Sequence, residues 1–426
     1  MSSQKINKSL RKYECRKDKY SLLQQKKLRN NNNNSYPFFL LFLVVFSSFC
    51  FSLPFIGTGG ATRPMNNNSF HLTNIVETTF LAQYPPEGFT RSIGFALEDN
   101  YLYTIISFNP TILNVSDPSN PTLISEYVYP DGRLSALTLR DDYLYLGSTY
   151  GLEILDVSNR TNISKVGEYN MTKPDYVWSI ALQDDFAYLA AAGNGLVIVN
   201  ISNPTQPEEV SCYTTSLRPL DVVVADNYAF IANGNATGYA LVILDVSDPQ
   251  HPTEIGHYED SVYPEMPGFG LSLNGSYAFL GTDGYGLFIL DITDIHNPVK
   301  VSQYYGGAES IGGLDNDEMV KDIFIYEQYV FEAAGPNGLY ILDVSDLINP
   351  ILVGGYRRHY AFGVYLQGTY LFLQELFDGL YIFHLTFPST TGRPVGQIIA
   401  MILVPSLGVV IITSIVIIYK RKRYKV

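Results

Sequence analysis

The most distinctive acidic run of the chain is Asp315-x-Asp317-Glu318, inside GGAESIGGLDNDEMVKD at 306–322. Alternating carboxylates at a loop apex are the ligand type that Ca²⁺ takes. The run lacks the Gly and the distal Glu of an EF-hand loop, so a solvated acidic loop is the simpler reading. No metal site is assigned, no cofactor is required, and Ca²⁺ at this loop is the one cofactor left open. Six histidines are scattered at His71, His251, His257, His296, His359 and His384. Their dispersal fits structural roles better than a proton-transfer site. The chain has no Gly-x-Ser-x-Gly elbow, no phosphate-cradling Gly-Lys-Ser/Thr loop, no His-Glu-x-x-His and no cysteine pair for zinc. No catalytic residue is assigned. The polar side chains with reach gather instead in seven stretches of unequal length. They are Arg91, Arg133, Asp175, Trp178, Arg218, Glu265, Asp315, Asp317, Glu318, Arg357, Arg358 and His359. These are the candidates for contacting a protein or glycan.

The elements that must position these loops recur along the chain. An apolar run ends in a short polar residue at Asn114, Asp156, Asn200, Asp245, Asp291, Asp343 and, in a worn form, His384. The gaps are 42, 44, 45, 46, 52 and 41 residues. A period of this length marks a solenoid or a propeller. A turn followed by an aromatic strand recurs in step, as in EDNYLYTI (98–105), QDDFAYLA and NGSYAFLG. One further strand precedes it and another follows the polar turn. Each unit therefore holds four short strands of β-branched and aromatic residues, split by Gly, Asn, Asp and Pro.

Seven such units predict an all-β fold, a seven-bladed β-propeller. The runs of type LVILD are apolar without alternation, as in strands buried on both faces. An open solenoid is the alternative, although it would need capping units. With the strand before the aromatic one innermost, the first strand (FLAQY, 80–84) is an outer strand without a blade. The last unit (361–387) lacks an outer strand. The two should combine, so that an N-terminal outer strand closes the last blade and removes two exposed edges. The Asp-Ser-Asp-Pro stretches are the turns: short acidic and hydroxyl side chains accept bonds from nearby N–H groups, and Pro offers no donor to a ladder. Calcium ligation at the same residues is the rival, but two Asn and one His at the aligned position fit a turn acceptor better. The 33 tyrosines recur at strand positions and read as blade packing.

The stretches LVIVN (196–200) and LVILD (241–245) carry a resemblance to the LVIVD repeat. The chain resembles the LVIVD-repeat cell-surface proteins of archaea and bacteria over about residues 75–387. The resemblance implies a β-propeller and transfers no catalytic residue. The unit around Asp156 departs from the pattern with SNRTN (158–162) in place of the Pro-containing turn, and the last unit is worn.

Outside the repeats the chain divides into a basic segment (1–36), an apolar segment (37–56), a linker (57–74), the propeller (75–387), a short linker (388–394), a charge-free stretch (395–419) and a basic tail (420–426). The stretch 395–419 spans about 37 Å as a helix, enough for a bilayer, and the basic tail after it places the tail inside. Segment 37–56 is a signal peptide or a first transmembrane helix. Either way the propeller is expected outside the cell membrane, with transmembrane helices at the chain ends. Residues 57–394 carry 39 acids against 13 bases, a surface that repels phosphate polymers and argues against nucleic acid as a partner. Glycosylation is expected at turn sequons Asn159, Asn162, Asn170, Asn235 and Asn274. Asn114 and Asn200 are expected to be poor acceptors in a buried turn position. Together these features point to a membrane-anchored extracellular binding or adhesion module for a surface protein or glycan. The membrane contact runs through the C-terminal helix and, if retained, the N-terminal one. The alternatives are a structural surface-layer component and an ectoenzyme, a hydrolase or lyase working at the channel mouth.

Overall fold

The structure is a computed structural model that describes residues 76–85, 92–130, 133–214, 218–234, 240–262, 267–305, 320–356, 360–376 and 378–388. The described residues form seven antiparallel four-stranded sheets. The first strand, β1 (Glu77–Tyr84), stands apart. Blade 1 is β2 (Ser92–Glu98), β3 (Tyr101–Ile106), β4 (Asn109–Asn114) and β5 (Thr122–Glu126). Blade 2 is β6 (Leu134–Arg140), β7 (Tyr143–Ser148), β8 (Gly151–Asp156) and β9 (Ser164–Asn170). Blade 3 is β10 (Val177–Gln183), β11 (Phe186–Ala191), β12 (Gly195–Asn200) and β13 (Glu208–Tyr213). Blade 4 is β14 (Pro219–Ala225), β15 (Tyr228–Asn233), β16 (Leu241–Asp245) and β17 (Thr253–Tyr258). Blade 5 is β18 (Gly268–Asn274), β19 (Tyr277–Thr282), β20 (Leu287–Asp291) and β21 (Val299–Tyr304). Blade 6 is β22 (Asp322–Tyr326), β23 (Tyr329–Ala333), β24 (Leu339–Asp343) and β25 (Ile351–Tyr356). Blade 7 is β26 (Ala361–Gln367), β27 (Tyr370–Glu375), β28 (Gly379–Thr386) and, as its outer strand, β1.

The first strands of successive blades pack side by side, and β26 returns to β2. The chain is therefore a closed seven-bladed β-propeller. The expected seal is present: β1 pairs with β28 from Glu77 opposite Thr386 to Tyr84 opposite Leu380. Val76 also donates its N–H to the Val353 carbonyl at 3.1 Å, joining this strand to blade 6. Second and third strands are almost wholly buried, as in β12, where Gly195 to Val199 are buried and only Asn200 is half-buried, whereas outer strands are exposed at their start. That is the packing expected from unalternated apolar runs.

Two kinds of turn recur on one face of the ring, and blade 7 has only the first of them because β1 supplies its outer strand. The hairpin between first and second strands starts with a residue at positive φ: Asp99, Asp141, Asp184, Asp226, Glu327, Gly275 or Gly368, between 48° and 60°. Asp tolerates that region and Gly favours it, which explains the recurrent residue choice. In the other turn, between third and outer strands, Asp245 accepts from Ser247 N at 2.9 Å and Asp248 from Gln250 N at 3.0 Å. Asn114, Asp156, Asn200, Asp291 and Asp343 accept in the same way. These residues are the turn acceptors the sequence pattern predicts. In the divergent turn of blade 2 the usual acceptors remain, Asp156 from Ser158 N and Asn159 from Thr161 N, and Arg160 adds a pairing with Glu98 at 2.6 Å and Tyr103 at 2.9 Å that ties blade 2 to blade 1.

Three sequon expectations change. Asn114 and Asn200 are half-exposed rather than buried, because each turn lies at the rim of its blade. Asn170 is not in a turn: β9 extends one pair further, Gly151 opposite Asn170, and ends on it. Asn159 and Asn162 lie exposed in their turn, Asn274 ends β18 exposed, and Asn235 falls outside the described residues. The segments expected to span the membrane, 37–56 and 395–419, also lie outside them. Among the described residues no helix is long and apolar enough to cross a membrane.

Candidate functional site

Connectivity sorts the loops onto two faces. In a four-stranded antiparallel meander the turns alternate ends. The hairpins at Asp99, Asp141 and their equivalents therefore share one face with the Asp-Pro turns. All are short and built alike. The other face carries the blade-to-blade loops and the turns between second and third strands. These differ in length and composition, and scaffolds place function on such loops.

Of the twelve loop candidates, Arg133, Asp175, Trp178 and Arg218 lie within the described residues. They stand at or just before the starts of three successive inner strands, β6, β10 and β14. Arg133 and Arg218 hold their strand entries through backbone carbonyls, which accept from Thr149 N at 3.3 Å and Gly234 N at 2.8 Å. The Arg133 guanidinium lies 5.8 Å above the Tyr150 ring. Asp175 folds its loop, accepting from Tyr176 N at 2.7 Å and Gly193 N at 2.9 Å. Trp178 stacks on Tyr176 with ring centroids 5.4 Å apart, at the bulge in the β10–β11 pairing. The four share a face but form no contact cluster. Arg91, Glu265, Asp315, Asp317, Glu318, Arg357, Arg358 and His359 lie outside the described residues. Four histidines have structural settings: His251 meets Asp248, His257 meets Glu254, His296 meets the Ile255 carbonyl, and His384 lies edge-on to Tyr370.

Three further charges lie at the inner strands: Asp221 on β14, Asp322 on β22, and Lys321 just before β22. Asp221 on β14 accepts from Val222 N and from Leu271 N of blade 5, both at 2.8 Å, and bonds Ser179 of blade 3. Asp322 on β22 accepts from Ile323 N and from Val364 N of blade 7, both at 2.9 Å. Each aspartate thus clasps its blade to the next. Burial pushes both carboxyls up, Asp322 to about 6, against the pull of the N–H donors. Lys321 sits beside Asp322 with Nζ 3.4 Å from the Phe269 ring centroid. Burial lowers its ammonium to about 7, although Asp283 favours the charge. All three are surrounded by protein yet half-buried rather than sealed, so water reaches them. The signal was available in PLDVVV and VKDIFIY, where charges interrupt apolar strands.

A second arrangement lies at the outer seams. Tyr213 donates to Glu254 Oε2 of the next blade at 3.1 Å, and Tyr169 donates likewise to Glu209. Burial, then the carboxylate, raises both phenols, Tyr213 to about 12.

The LVIVD repeat family matches residues 91–128, 131–171, 174–215, 220–260, 270–305 and 318–357, over half of the chain. The chain belongs to the LVIVD-repeat proteins. The worn seventh unit is not among the matched segments. No curated protein sequence matches the chain. Among solved structures, a catalytically inactive virginiamycin B lyase from Staphylococcus aureus with quinupristin is 12% identical, with a TM-score of 0.56, covering 73% of this chain and all of that one. The Pan2 WD40 domain of Neurospora crassa is 10% identical, with a TM-score of 0.54, covering 74% and 96%. The computationally designed Ika8 protein is 7% identical, with a TM-score of 0.52, covering 72% and 99%. At these identities the likeness is one of fold.

Proposed function

We propose that the protein is a membrane-anchored extracellular binding or adhesion module whose unequal loops are its contact face. The observation that carries this reading is the pairing of Glu77 with Thr386. Third strands run toward the face of uniform turns, and β28 is a third strand, so the ring's last residues leave from that face. The ring's first residues enter there too. An anchor formed by the charge-free stretch 395–419 would therefore tether that side, and the loop face would look away from the membrane. With two strand ends fixed on one side, the opposite loops are free to meet a surface protein or glycan. The test is capture by the full chain in lipid vesicles, against solubilised envelope proteins and a glycan array. A variant with Ala at Arg218, Arg357, Arg358 and His359 is run beside it. Specific capture lost in the variant supports the reading; capture unchanged in it contradicts the loop face.

The ectoenzyme reading has one observation in its favour. Lys321 and Asp322 are adjacent, partly exposed, and shifted toward neutrality, the condition for proton transfer near pH 7. Both aspartates are committed to backbone donors, which ranks this reading second. Turnover in a hydrolase and lyase substrate screen, abolished by Lys321→Met, would reverse the order.

A further inference from the structure

Four of the seven outer strands carry a charged second residue, and they divide into two pairs. The second residue of the outer strand is Glu209 in β13 and Glu254 in β17, and each receives a tyrosine hydroxyl directly from the preceding blade. In β9 and β21 the same position holds Lys165 and Lys300. An ammonium cannot accept a hydrogen bond, so the tyrosine must find a carboxylate elsewhere. Tyr129 donates to Glu153, whose other oxygen lies 3.0 Å from Lys165 Nζ. Tyr258 donates to Asp260 at 2.6 Å, which Lys300 also reaches at 2.6 Å. A cleft lies at each of these two seams, about 290 Å³ between blades 1 and 2 and about 460 Å³ between blades 4 and 5.

The first cleft has the more defined walls. Tyr127, Tyr129 and Tyr150 make its aromatic side, and the Arg133 guanidinium lies over the Tyr150 ring at 5.8 Å. Glu153, only 9% exposed, Lys165 and Glu168 make its polar side, with Asn170 at the rim. Lys165 is held between the two glutamates, and that bond keeps Glu168 below the usual carboxylate range. Val128 projects beside the mouth, 77% exposed. The volume is at the small end for ligand sites. Lys165 would repel an organic cation that an aromatic wall alone would attract. The two carboxylates would repel an anion. What remains is an uncharged ligand with one apolar face for the tyrosines and several hydroxyls for the polar side. We propose that this cleft binds the terminal residue of a neutral saccharide. The ring stacks on the tyrosines, and its hydroxyls donate to Glu168 and accept from Asn170 and Lys165.

This site rests on its own residues and not on the loop-face reading. The test is saturation-transfer NMR with the detergent-solubilised full chain, in three arms: neutral hexoses and N-acetylhexosamines, uronic acids, and choline. Glu168 and Asn170 are exposed, so the Glu168→Ala/Asn170→Ala variant should keep the fold, checked by thermal unfolding. Expected is binding in the neutral arm alone, weakened at least tenfold in the variant. A Tyr127→Ala chain should lose the signal on the sugar ring protons. No neutral sugar bound, an unchanged affinity in the variants, or a stronger signal from uronate or choline each overturns the proposal. Sugar binding that survives both cleft variants but fails in the Arg218/Arg357/Arg358/His359 variant overturns the cleft and leaves the loop face standing.

Discussion

Replacing Lys321 with Met should stabilise the protein, by an amount that depends on pH in a specified way. The ammonium lies against Phe269 at 3.4 Å, and burial lowers its pKa from 10.5 to about 7. In the unfolded chain the lysine holds its proton up to about pH 10.5; in the folded chain it gives the proton up near 7. Between those values the unfolded state binds more protons, so stability of the natural protein rises with pH across that window. The full displacement corresponds to about 5 kcal/mol at 1.36 kcal/mol per pH unit, the dry limit. Water reaches this half-buried group and screens it, and about 2–3 kcal/mol is the expected effect. Lys321→Met is one atom shorter, with no charge and a thioether suited to an aromatic neighbour. It should be more stable by about 2–3 kcal/mol at pH 7, with the advantage shrinking toward zero by about pH 10. The assay is urea unfolding of both full chains at pH 6 to 10, followed by Trp178, the one tryptophan. Curves that stay parallel across this range, or a less stable variant at pH 7, would refute the reasoning.

Asp322 gives the opposite slope. Its carboxyl is raised from 3.8 to about 6, so the folded state holds the proton longer and stability falls as pH rises from about 4 to 6; Asp322→Asn should flatten that fall in the same assay. Gly256→Ala would drive a Cβ into the Ile295 carbonyl of the next blade, far inside contact distance, and should cost about 2–3 kcal/mol in urea unfolding. Gly368→Ala, at φ +60° with open space around it, should cost only about 1 kcal/mol; equal costs would contradict the seam argument. Removing residues 77–84 should leave β28 as an exposed edge and convert the chain to an oligomer or aggregate, measured by light scattering.

The repeat made most of the fold legible. Apolar runs closed by Asn114, Asp156 or Asp245 mark third strands because both their faces are buried and a turn must follow. Closure was legible because FLAQY had no partner and the 361–387 unit lacked one. The seams were harder to read. Position 167 is Gly and position 211 is Ser for the same reason, that a carbonyl of the next blade's turn approaches it. Ser211 donates to Pro249 O at 2.6 Å, whereas a Cβ at Gly167 would meet Pro204 O. Nothing in either residue alone says so. Asp221 and Asp322 were passed over because the search for chemistry went to loops, while these carboxylates act from within strands. The exchange of Glu209 and Glu254 for Lys165 and Lys300 is visible in aligned units. That it coincides with clefts requires knowing that this position faces the neighbouring blade.

The most direct measurement of the account is the height of each face above the membrane. On a background with Cys15, Cys50 and Cys212 replaced by Ser, Lys173→Cys places a dye on the loop face and Gln206→Cys places one on the turn face. Both positions are exposed. Strands of about six residues separate the two by roughly 20 Å. With an acceptor lipid in vesicles carrying the full chain, the account expects strong energy transfer from the Gln206→Cys label and weak transfer from Lys173→Cys. Stronger transfer from the loop face would contradict the orientation, and no transfer from either would contradict the anchor itself.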